Sequence, residues 1–286
     1  MTMSALQAAL LTDDYIRDGV VKLPAALSPS QLAGLAAAFD WSVANPSPAA
    51  QHLFPQPGTI FYQDLFNTLS WPRYVDAIAA TDIPEIMAAL WGCDDVWFFF
   101  EQVFLKQGGQ SRRTPWHQDT SYFPIDGSHN VVLWISLDPV SKADSLEFVR
   151  GSHKGPLYNG SSFAAEDDTA PLYAGDALPR LPDVEAGRSR WDIVSWAVEP
   201  GDIIAFHPST LHGGAATLPG NRRRTLSLRF FGNDAVYVER PQVSPDSGVG
   251  FNREAGDSRD ISDFCRDLKA GDSFRHPDFA HLRRAS

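Results

Sequence analysis

The chain is poor in cysteine, in basic residues and in long apolar runs, and each shortage excludes a class of protein. Its 286 residues include only Cys93 and Cys265, too few for a disulfide scaffold or a thiolate zinc site. Lysine and arginine total 24 against 35 acidic residues, for a net charge of −11, whereas nucleic-acid binding needs a basic face. No apolar stretch in the sequence is long enough to span a bilayer. We therefore expect a protein that binds neither nucleic acid nor membrane.

The same shortages predict a location and a size class. No basic segment precedes the weakly apolar start of the sequence, so we expect no signal peptide. The two cysteines are then most simply reduced thiols in a cytoplasmic protein. A chain of this length can bury a sizeable core and fold as one domain. We expect a monomer or a homodimer.

Two histidines and an aspartate form a pattern that suits an iron site. His117 and Asp119 are two positions apart, and His212 follows about 95 residues later. Positions i and i+2 of an extended chain project to the same side, so His117 and Asp119 can hold one ion together while His212 comes from a distant strand. Two imidazoles and a carboxylate form the facial triad of non-haem Fe(II) oxygenases, which leaves positions open for a cosubstrate and for dioxygen.

A polar stripe follows the second histidine. From Arg223 to Phe231 the sequence alternates as a strand does, with Arg223, Thr225, Ser227 and Arg229 on one face. Arginine suits a carboxylate because its planar fork binds both oxygens. A cosubstrate that chelates iron through a keto acid and carries a second carboxylate needs such a partner, and 2-oxoglutarate fits this description.

With their flanking residues, these motifs resemble the phytanoyl-CoA dioxygenase family of Fe(II)/2-oxoglutarate oxygenases over most of the chain. The resemblance is carried by Pro115-Trp-His117-Gln-Asp119, Val131-Val-Leu-Trp134-Ile-Ser-Leu-Asp138, Arg150-Gly-Ser-His153, Pro200-Gly-Asp202, Phe206-His-Pro, His212-Gly and Arg223. It implies two sets of site residues, namely the metal ligands His117, Asp119 and His212, and a 2-oxoglutarate site of Arg223, Trp134, Ser227 and Gln102. It also implies that dioxygen and 2-oxoglutarate are consumed, with hydroxylation of an unactivated C–H bond and release of succinate and CO2.

Two features depart from the family's pattern, and a third residue bears on the reaction type. Relatives can carry a hydroxyl residue two positions after the distal histidine, where this chain has Gly214, so one hydrogen bond to the cosubstrate is missing. The turn before the second core strand often reads Asn-Gly and here is Asp144-Ser145. Halogenating relatives replace the ligand carboxylate with a small residue, and the presence of Asp119 therefore favours oxygenation.

The predicted elements are helical first and mostly strands afterwards. Ser28-Pro29-Ser-Gln31 is a capping box that begins a helix reaching about Ala44, and further helices are predicted near 72–80 and 83–91. Strands are predicted at 20–23, 96–106, 131–137, 146–149, 193–198, 203–206 and 223–231. We predict one mainly β domain over 1–286: a double-stranded β-helix (jelly roll) core at about 95–240, braced by a helical part at about 1–94 and followed by a tail at 241–286.

A long polar stretch interrupts the predicted core. Residues 157–190 are rich in Gly, Pro and Asp and show little periodicity, and loops of this length in compact domains are usually functional lids or disordered. We predict a lid that closes over the iron and excludes water. The alternative is a surface excursion with no catalytic role.

Residues near the metal motif are candidates for lining the substrate mouth. They are Thr120, Tyr122, Phe123, Phe104 and Arg229. Arg229 faces inward by parity and meets either a polar substrate or an acid such as Asp202. Lys106 ends the face that carries Gln102 and Phe104; we expect a solvated strand end, and the alternative is that Lys106 reaches the pocket. The aromatic mouth predicts a small, partly apolar substrate. No basic patch for CoA phosphates stands out, so we expect a substrate other than an acyl-CoA.

Two other classes of function remain open at this point. A non-catalytic jelly-roll module would bind a small acid beside a structural metal, and a zinc hydrolase would use the same three ligands with an open fourth position. The zinc alternative leaves Arg223 unexplained and has no evident general base near His117. The sequence leaves open the substrate's identity and the choice among hydroxylation, desaturation, epoxidation and ring formation.

Overall fold

Three antiparallel sheets organise the part of the chain that the computed structural model describes, which is residues 9–53, 57–108, 112–164, 166–215, 221–244 and 261–283. The described helices are α1 (Thr12–Asp18), α2 (Pro29–Ala44), α3 (Trp71–Ala79), α4 (Ile83–Trp91) and α5 (Ile261–Cys265). The described strands are β1 (Val20–Leu23), β2 (Gln51–His52), β3 (Ile60–Leu65), β4 (Val96–Gln107), β5 (Thr114–His117), β6 (Ile125–Asp126), β7 (Asn130–Ser136), β8 (Leu146–Val149), β9 (Ile193–Val194), β10 (Ile203–Phe206), β11 (His212–Gly214), β12 (Arg222–Phe231), β13 (Val236–Tyr237) and β14 (His281–Arg283).

Two of the sheets form the jelly-roll core. The larger sheet has the order β1-β10-β7-β12-β4-β3-β2, with β14 also paired to β4, and the smaller sheet has the order β5-β11-β8-β9. Strand β7 in the middle of the larger sheet is buried on both faces. Its Leu133 and Ile135 pack into the main core with the helices, while Val132 and Trp134 pack with Phe148 of the smaller sheet. This arrangement confirms the predicted mainly β fold with bracing helices.

The local signals located the longer elements well. Ser28 Oγ accepts a hydrogen bond from Gln31 N, and Gln31 Oε1 accepts one from Ser28 N at 2.8 Å, so the predicted capping box begins α2 and the helix ends at Ala44 as expected. The strand predicted at 193–198 is shorter and ends at Val194. The side chain of the next residue, Ser195, bonds to the backbone of β8: its Oγ donates to the Leu146 carbonyl at 2.7 Å.

The strands predicted from the sequence did not include β3, β5 or β11, although the metal motif was expected to be extended and His212 to lie on a strand. β5 contains Pro115 and β11 contains Gly213 and Gly214, residue types that are uncommon in strands, and the pairing of β5 and β11 joins segments that are distant in the chain. Among the described helices, none combines the length and the apolarity needed to cross a bilayer.

Candidate active site

Two short strands of the smaller sheet bring the three predicted metal ligands together. His117 ends β5 and lies directly opposite His212, the first residue of β11. Gln118 keeps an extended backbone (φ −117°, ψ 125°), so Asp119 projects to the same side as His117 even though β5 has ended. Asp119 Oδ1 lies 3.3 Å from His117 Nε2 and 3.7 Å from His212 Nε2, and all three side chains are buried.

Backbone carbonyls orient both imidazoles. His117 Nδ1–H donates to the Pro115 carbonyl at 2.8 Å, and His212 Nδ1–H donates to the Thr210 carbonyl at 2.9 Å. These bonds select the tautomer whose Nε2 lone pair is available to a metal. Burial, followed by the nearby His117 imidazole, lowers the pKa of His212 to about 3, so this ring is neutral at neutral pH, as a metal ligand must be.

The donor set fits a divalent transition metal. Ligand bonds of about 2.1 Å from one ion reach donors up to about 4.2 Å apart, and the two measured separations of 3.3 and 3.7 Å lie inside that limit. Two nitrogens and one carboxylate oxygen on a single face are the facial arrangement of non-haem Fe(II) sites. The types and the arrangement of these donors thus suit iron.

A buried arginine holds the second oxygen of the aspartate. Arg229 Nη2 donates to Asp119 Oδ2 at 2.7 Å and to Gln102 Oε1 at 2.9 Å. Burial would raise the pKa of Asp119, but the charge of Arg229, followed by the contacts of Asp119 with His117 and His212, outweighs burial and holds that pKa well below its usual range. Arg229 therefore meets an acid, as one of the two sequence alternatives had it. The acid is Asp119 and not Asp202, whose carboxylate pairs with Lys22 at 2.7 Å.

This contact predicts a role for Arg229 in orienting the metal ligand. By occupying Oδ2, the guanidinium leaves Oδ1 turned toward the two Nε2 atoms. We expect Arg229→Met to weaken binding of Mn(II) or Fe(II) by roughly 10- to 100-fold, the usual cost of losing a partner of a metal ligand, as measured by calorimetry. Arg224→Met is the matched control, because Arg224 lies on the same strand as Arg229 and also pairs with an aspartate, Asp138, at 2.7 Å. Equal metal affinity in the two variants would contradict the role.

A cavity of about 430 Å³ lies between the two core sheets and includes the three ligands in its wall. The predicted 2-oxoglutarate residues Arg223, Trp134, Ser227 and Gln102 all line it. Arg223 Nη1 donates to the backbone carbonyl of Asp144, and its Nε has no hydrogen-bond partner within the described residues. Burial lowers the pKa of Arg223 to about 10, so the guanidinium stays charged at neutral pH and presents an unused donor.

Lys106 lies in this cavity, so the expectation of a solvated strand end was wrong. Its side chain is 1% exposed, and its Nζ is 3.4 Å from Thr114 Oγ1 and 3.8 Å from the centre of the Phe61 ring. The reason is that β4 is an interior strand: β3 covers one side of Lys106 and β12 the other. Lys106 is an even number of residues from Gln102 and Phe104 on β4, so the sequence did indicate that it shares their cavity-lining face.

The predicted substrate-lining residues divide into two groups. Tyr122, Phe123, Phe104 and Arg229 line the cavity. Thr120 does not: a 3-10 turn follows the metal motif, and Thr120 Oγ1 bonds instead to Ser209 Oγ at 2.8 Å. The change from extended to helical backbone at Asp119 therefore separates Thr120 from the site.

A row of amides, which the sequence reading missed except for Gln102, forms part of the cavity wall. Gln102 Nε2 donates to Gln63 Oε1 at 3.3 Å, and Gln63 Nε2 donates to Gln51 Oε1 at 3.4 Å. The three residues sit on neighbouring strands β4, β3 and β2. They place hydrogen-bonding groups on a wall that is otherwise largely aromatic.

The beginning of the polar stretch 157–190 covers the metal ligands. Ser162, Phe163 and Ala164 line the cavity, and the Phe163 ring meets His117 edge-on at 5.5 Å and stacks on Tyr122 at 5.9 Å. Tyr122 Oη donates to the Ser161 carbonyl at 2.8 Å. Aromatic rings thus separate the ligands from solvent on this side.

Comparison with known proteins gives a family and related sequences. The profile of the phytanoyl-CoA dioxygenase (PhyH) family matches residues 15–225. The peroxisomal phytanoyl-CoA dioxygenase of Homo sapiens is 28% identical over 134 residues, which cover 46% of this chain and 37% of that protein. The Rattus norvegicus protein is 27% identical over 182 residues, covering 62% and 48%. The matches thus span less than half the length of these curated relatives.

Solved structures with a similar fold cover nearly the whole chain. SnoK, a non-heme alpha-ketoglutarate-dependent carbocyclase from nogalamycin biosynthesis, superposes with a TM-score of 0.70 at 18% identity over 98% of both chains. The epimerase SnoN in complex with Fe3+, alpha ketoglutarate and nogalamycin RO gives a TM-score of 0.68 at 21% identity, covering 97% of this chain and 99% of that one. At these identities the likeness concerns the fold.

Proposed function

Because this chain belongs to the phytanoyl-CoA dioxygenase family, we propose that it is an Fe(II)- and 2-oxoglutarate-dependent dioxygenase. The observation that carries the proposal is the combination of a buried His117, Asp119 and His212 set with a buried, partly unsatisfied Arg223 in the same cavity. The metal set suits ferrous iron, and the free edge of Arg223 suits the distal carboxylate of 2-oxoglutarate.

The protein's own residues hold and orient the reactants. When bound, iron and 2-oxoglutarate supply the oxidising chemistry, in which one atom of dioxygen enters succinate with loss of CO2 and the other goes to the substrate. Arg223 fixes the far end of 2-oxoglutarate beside Trp134 and Ser227, and Arg229 keeps one oxygen of Asp119 turned to the metal. Phe163 and Tyr122 cover the ligands, and exclusion of water there limits side reactions.

The reaction we propose is hydroxylation of an unactivated C–H bond in a small, partly apolar molecule. Phe61, Phe104 and Phe123 offer apolar contact, while Gln51 and Gln63 offer hydrogen bonds to oxygen atoms of such a molecule. SnoK and SnoN are described as a carbocyclase and an epimerase, so placement of the substrate carbon decides the outcome within this fold. We expect a substrate other than an acyl-CoA; Arg112 and Arg180, which could otherwise meet its phosphates, are paired with Asp168 and Asp167.

We further propose that residues 157–190 act as the lid of this site. The supporting contacts are those of Ser161 and Phe163 with Tyr122 and His117. Such a lid admits the substrate and then seals the cavity from water.

The zinc-hydrolase alternative is disfavoured because the cavity offers no spare carboxylate among its described residues. Asp119 is the sole carboxylate among the cavity-lining residues that the structure describes, and its two oxygens already face the histidines and Arg229. A zinc hydrolase of the metalloprotease kind uses a carboxylate as the general base for its water, and among the described cavity-lining residues no carboxylate is left for that role.

The test is succinate formation from 2-oxoglutarate by purified protein with Fe(II), ascorbate and air, beside the same protein loaded with Zn(II). We expect succinate with iron and none with zinc. A tightly coupled enzyme would form little succinate without its substrate, so a second measurement is anaerobic absorption after addition of 2-oxoglutarate to the Fe(II) protein. A visible charge-transfer band is expected. Absence of both signals would refute the dioxygenase and leave the acid-binding module in its place.

A further inference from the structure

Two buried cations face each other across neighbouring strands of the cavity wall. Lys106 of β4 pairs directly with Arg223 of β12 in the antiparallel register, so both side chains point to the same face of the sheet. Their exposures are 1% and 6%, and both line the cavity. Like charges directly opposite each other destabilise a sheet, and burial adds a further cost.

Among the residues that the structure describes, neither Lys106 nor Arg223 forms a side-chain ion pair of the kind that neutralises nearby Arg113. Nearby Arg113 is paired with Glu147 (3.1 Å) and Glu185 (2.9 Å). Within the described residues, Lys106 forms no ion pair, and its contacts are the Thr114 hydroxyl and the Phe61 ring. The Asp144 carboxylate favours the charge of Arg223, but it accepts bonds from Ser141 and Asn221 at 2.9 and 3.1 Å.

Burial, with Arg223 and Arg113 close by, lowers the pKa of Lys106 well below its usual value. A group so placed gains most from an arriving anion, because an opposite charge at contact distance in a buried site restores its protonated form. A bound anion would also accept a hydrogen bond from the unpartnered Nε of Arg223. The pair therefore provides a site for a carboxylate with two cationic walls.

We propose that Lys106 is a second anchor, beside Arg223, for the distal carboxylate of 2-oxoglutarate, an inference that rests on the function proposed above. Lys106 provides a point charge and Arg223 a planar fork, so Lys106 binds a lone pair of the carboxylate that the fork leaves free. The site also discriminates between 2-oxoglutarate and a 2-oxo acid that lacks the distal carboxylate, because only the distal carboxylate offsets the two buried positive charges.

Thr114 completes this site and compensates for Gly214. Gly214 lies opposite Thr114 in the β11–β5 pairing, and a Cβ added at Gly214 would come within 3.1 Å of Thr114 Oγ1. The threonine hydroxyl thus occupies the space beside Gly214, where some relatives have a hydroxyl of their own. From there it contacts Lys106 Nζ and can donate to the same carboxylate.

The experiment compares two ligands by calorimetry on the Mn(II)-loaded protein, which binds without turnover. 2-Oxoglutarate carries the distal carboxylate, and 2-oxopentanoate has the same chain without it. We expect Lys106→Met to weaken 2-oxoglutarate by roughly 10- to 100-fold, the range for a charged hydrogen bond, and to change 2-oxopentanoate by less than about twofold. Lys269→Met, which removes an exposed lysine, is the matched control.

The results distinguish failure of the Lys106 role from failure of the proposed dioxygenase function. Equal weakening of both ligands in Lys106→Met, or no weakening of either, would overturn the role of Lys106 while the dioxygenase proposal stands. Lys106→Gln, which keeps a hydrogen bond to Thr114, is the second variant in case the methionine does not fold, and the same selective loss is expected. If the wild-type protein itself does not bind 2-oxoglutarate, the proposed function fails first.

Discussion

Replacement of His212 with alanine is expected to remove metal binding and, with it, succinate formation down to background. The substitution leaves His117 and Asp119, which can offer only two donors on one side of the ion. We expect the affinity for Mn(II) or Fe(II) to fall by more than about 100-fold, since loss of a supporting hydrogen bond to a ligand already costs up to that much. Metal content after dialysis and calorimetry with Mn(II) measure this directly.

The control for this variant is His276→Ala. His276 packs on Phe264 in the tail and is not among the residues that line the cavity, so its loss should leave both metal content and succinate formation unchanged. Thermal unfolding of the two variants would separate loss of the metal site from loss of the fold. Retention of stoichiometric metal and activity in folded His212→Ala would mean that the ion lies elsewhere.

The second large effect is expected for Arg223→Ala, which should raise the KM for 2-oxoglutarate on the order of 100-fold or more. A fork that makes two charge-assisted hydrogen bonds to one carboxylate contributes at least about 3 kcal/mol, and no other guanidinium in the cavity is free to replace it, because Arg229 is held by Asp119 and Gln102. Arg223→Lys keeps the charge and loses the fork. We expect it to recover only part of the affinity.

Steady-state kinetics over a range of 2-oxoglutarate concentrations distinguish this role from a structural one. A residue that binds the distal carboxylate mainly affects KM, whereas damage to the metal site lowers kcat at every concentration. Arg222→Ala is the control, since Arg222 is the adjacent residue on β12 and is exposed. Similar KM values for Arg223→Ala and Arg222→Ala would contradict the proposal that Arg223 binds the distal carboxylate.

The faces of the longer strands were predicted from local patterns, because those patterns have a short physical period, whereas the family was implied by the resemblance of the motifs. In β12 the period of two was enough to assign Arg223, Ser227 and Arg229 to the inner face, and all three line the cavity. In the metal motif the same period related His117 to Asp119. Such inferences need only the geometry of an extended chain.

Local patterns did not predict the contacts between strands that are distant in the sequence. Which acid Arg229 meets depended on β12 lying near the end of β5, and the choice fell on Asp119 and not on Asp202. The turn at Asp119 moved Thr120 out of the cavity, although its neighbour in the sequence is a metal ligand. These outcomes depend on one backbone turn and on one contact between the two core sheets, neither of which leaves a periodic pattern in the sequence.

The sequence by itself determined the kind of site in this protein: the ligand types, their spacing and the arginine that follows them. Only the tertiary structure decided the environment of each group. Lys106 is the clearest case, because strand position alone cannot tell an exposed end from an interior one, and β3 and β12 bury it on both sides. Residue identity determines which bonds a side chain can make, but burial determines which of them it needs, and burial is a property of the assembled sheets.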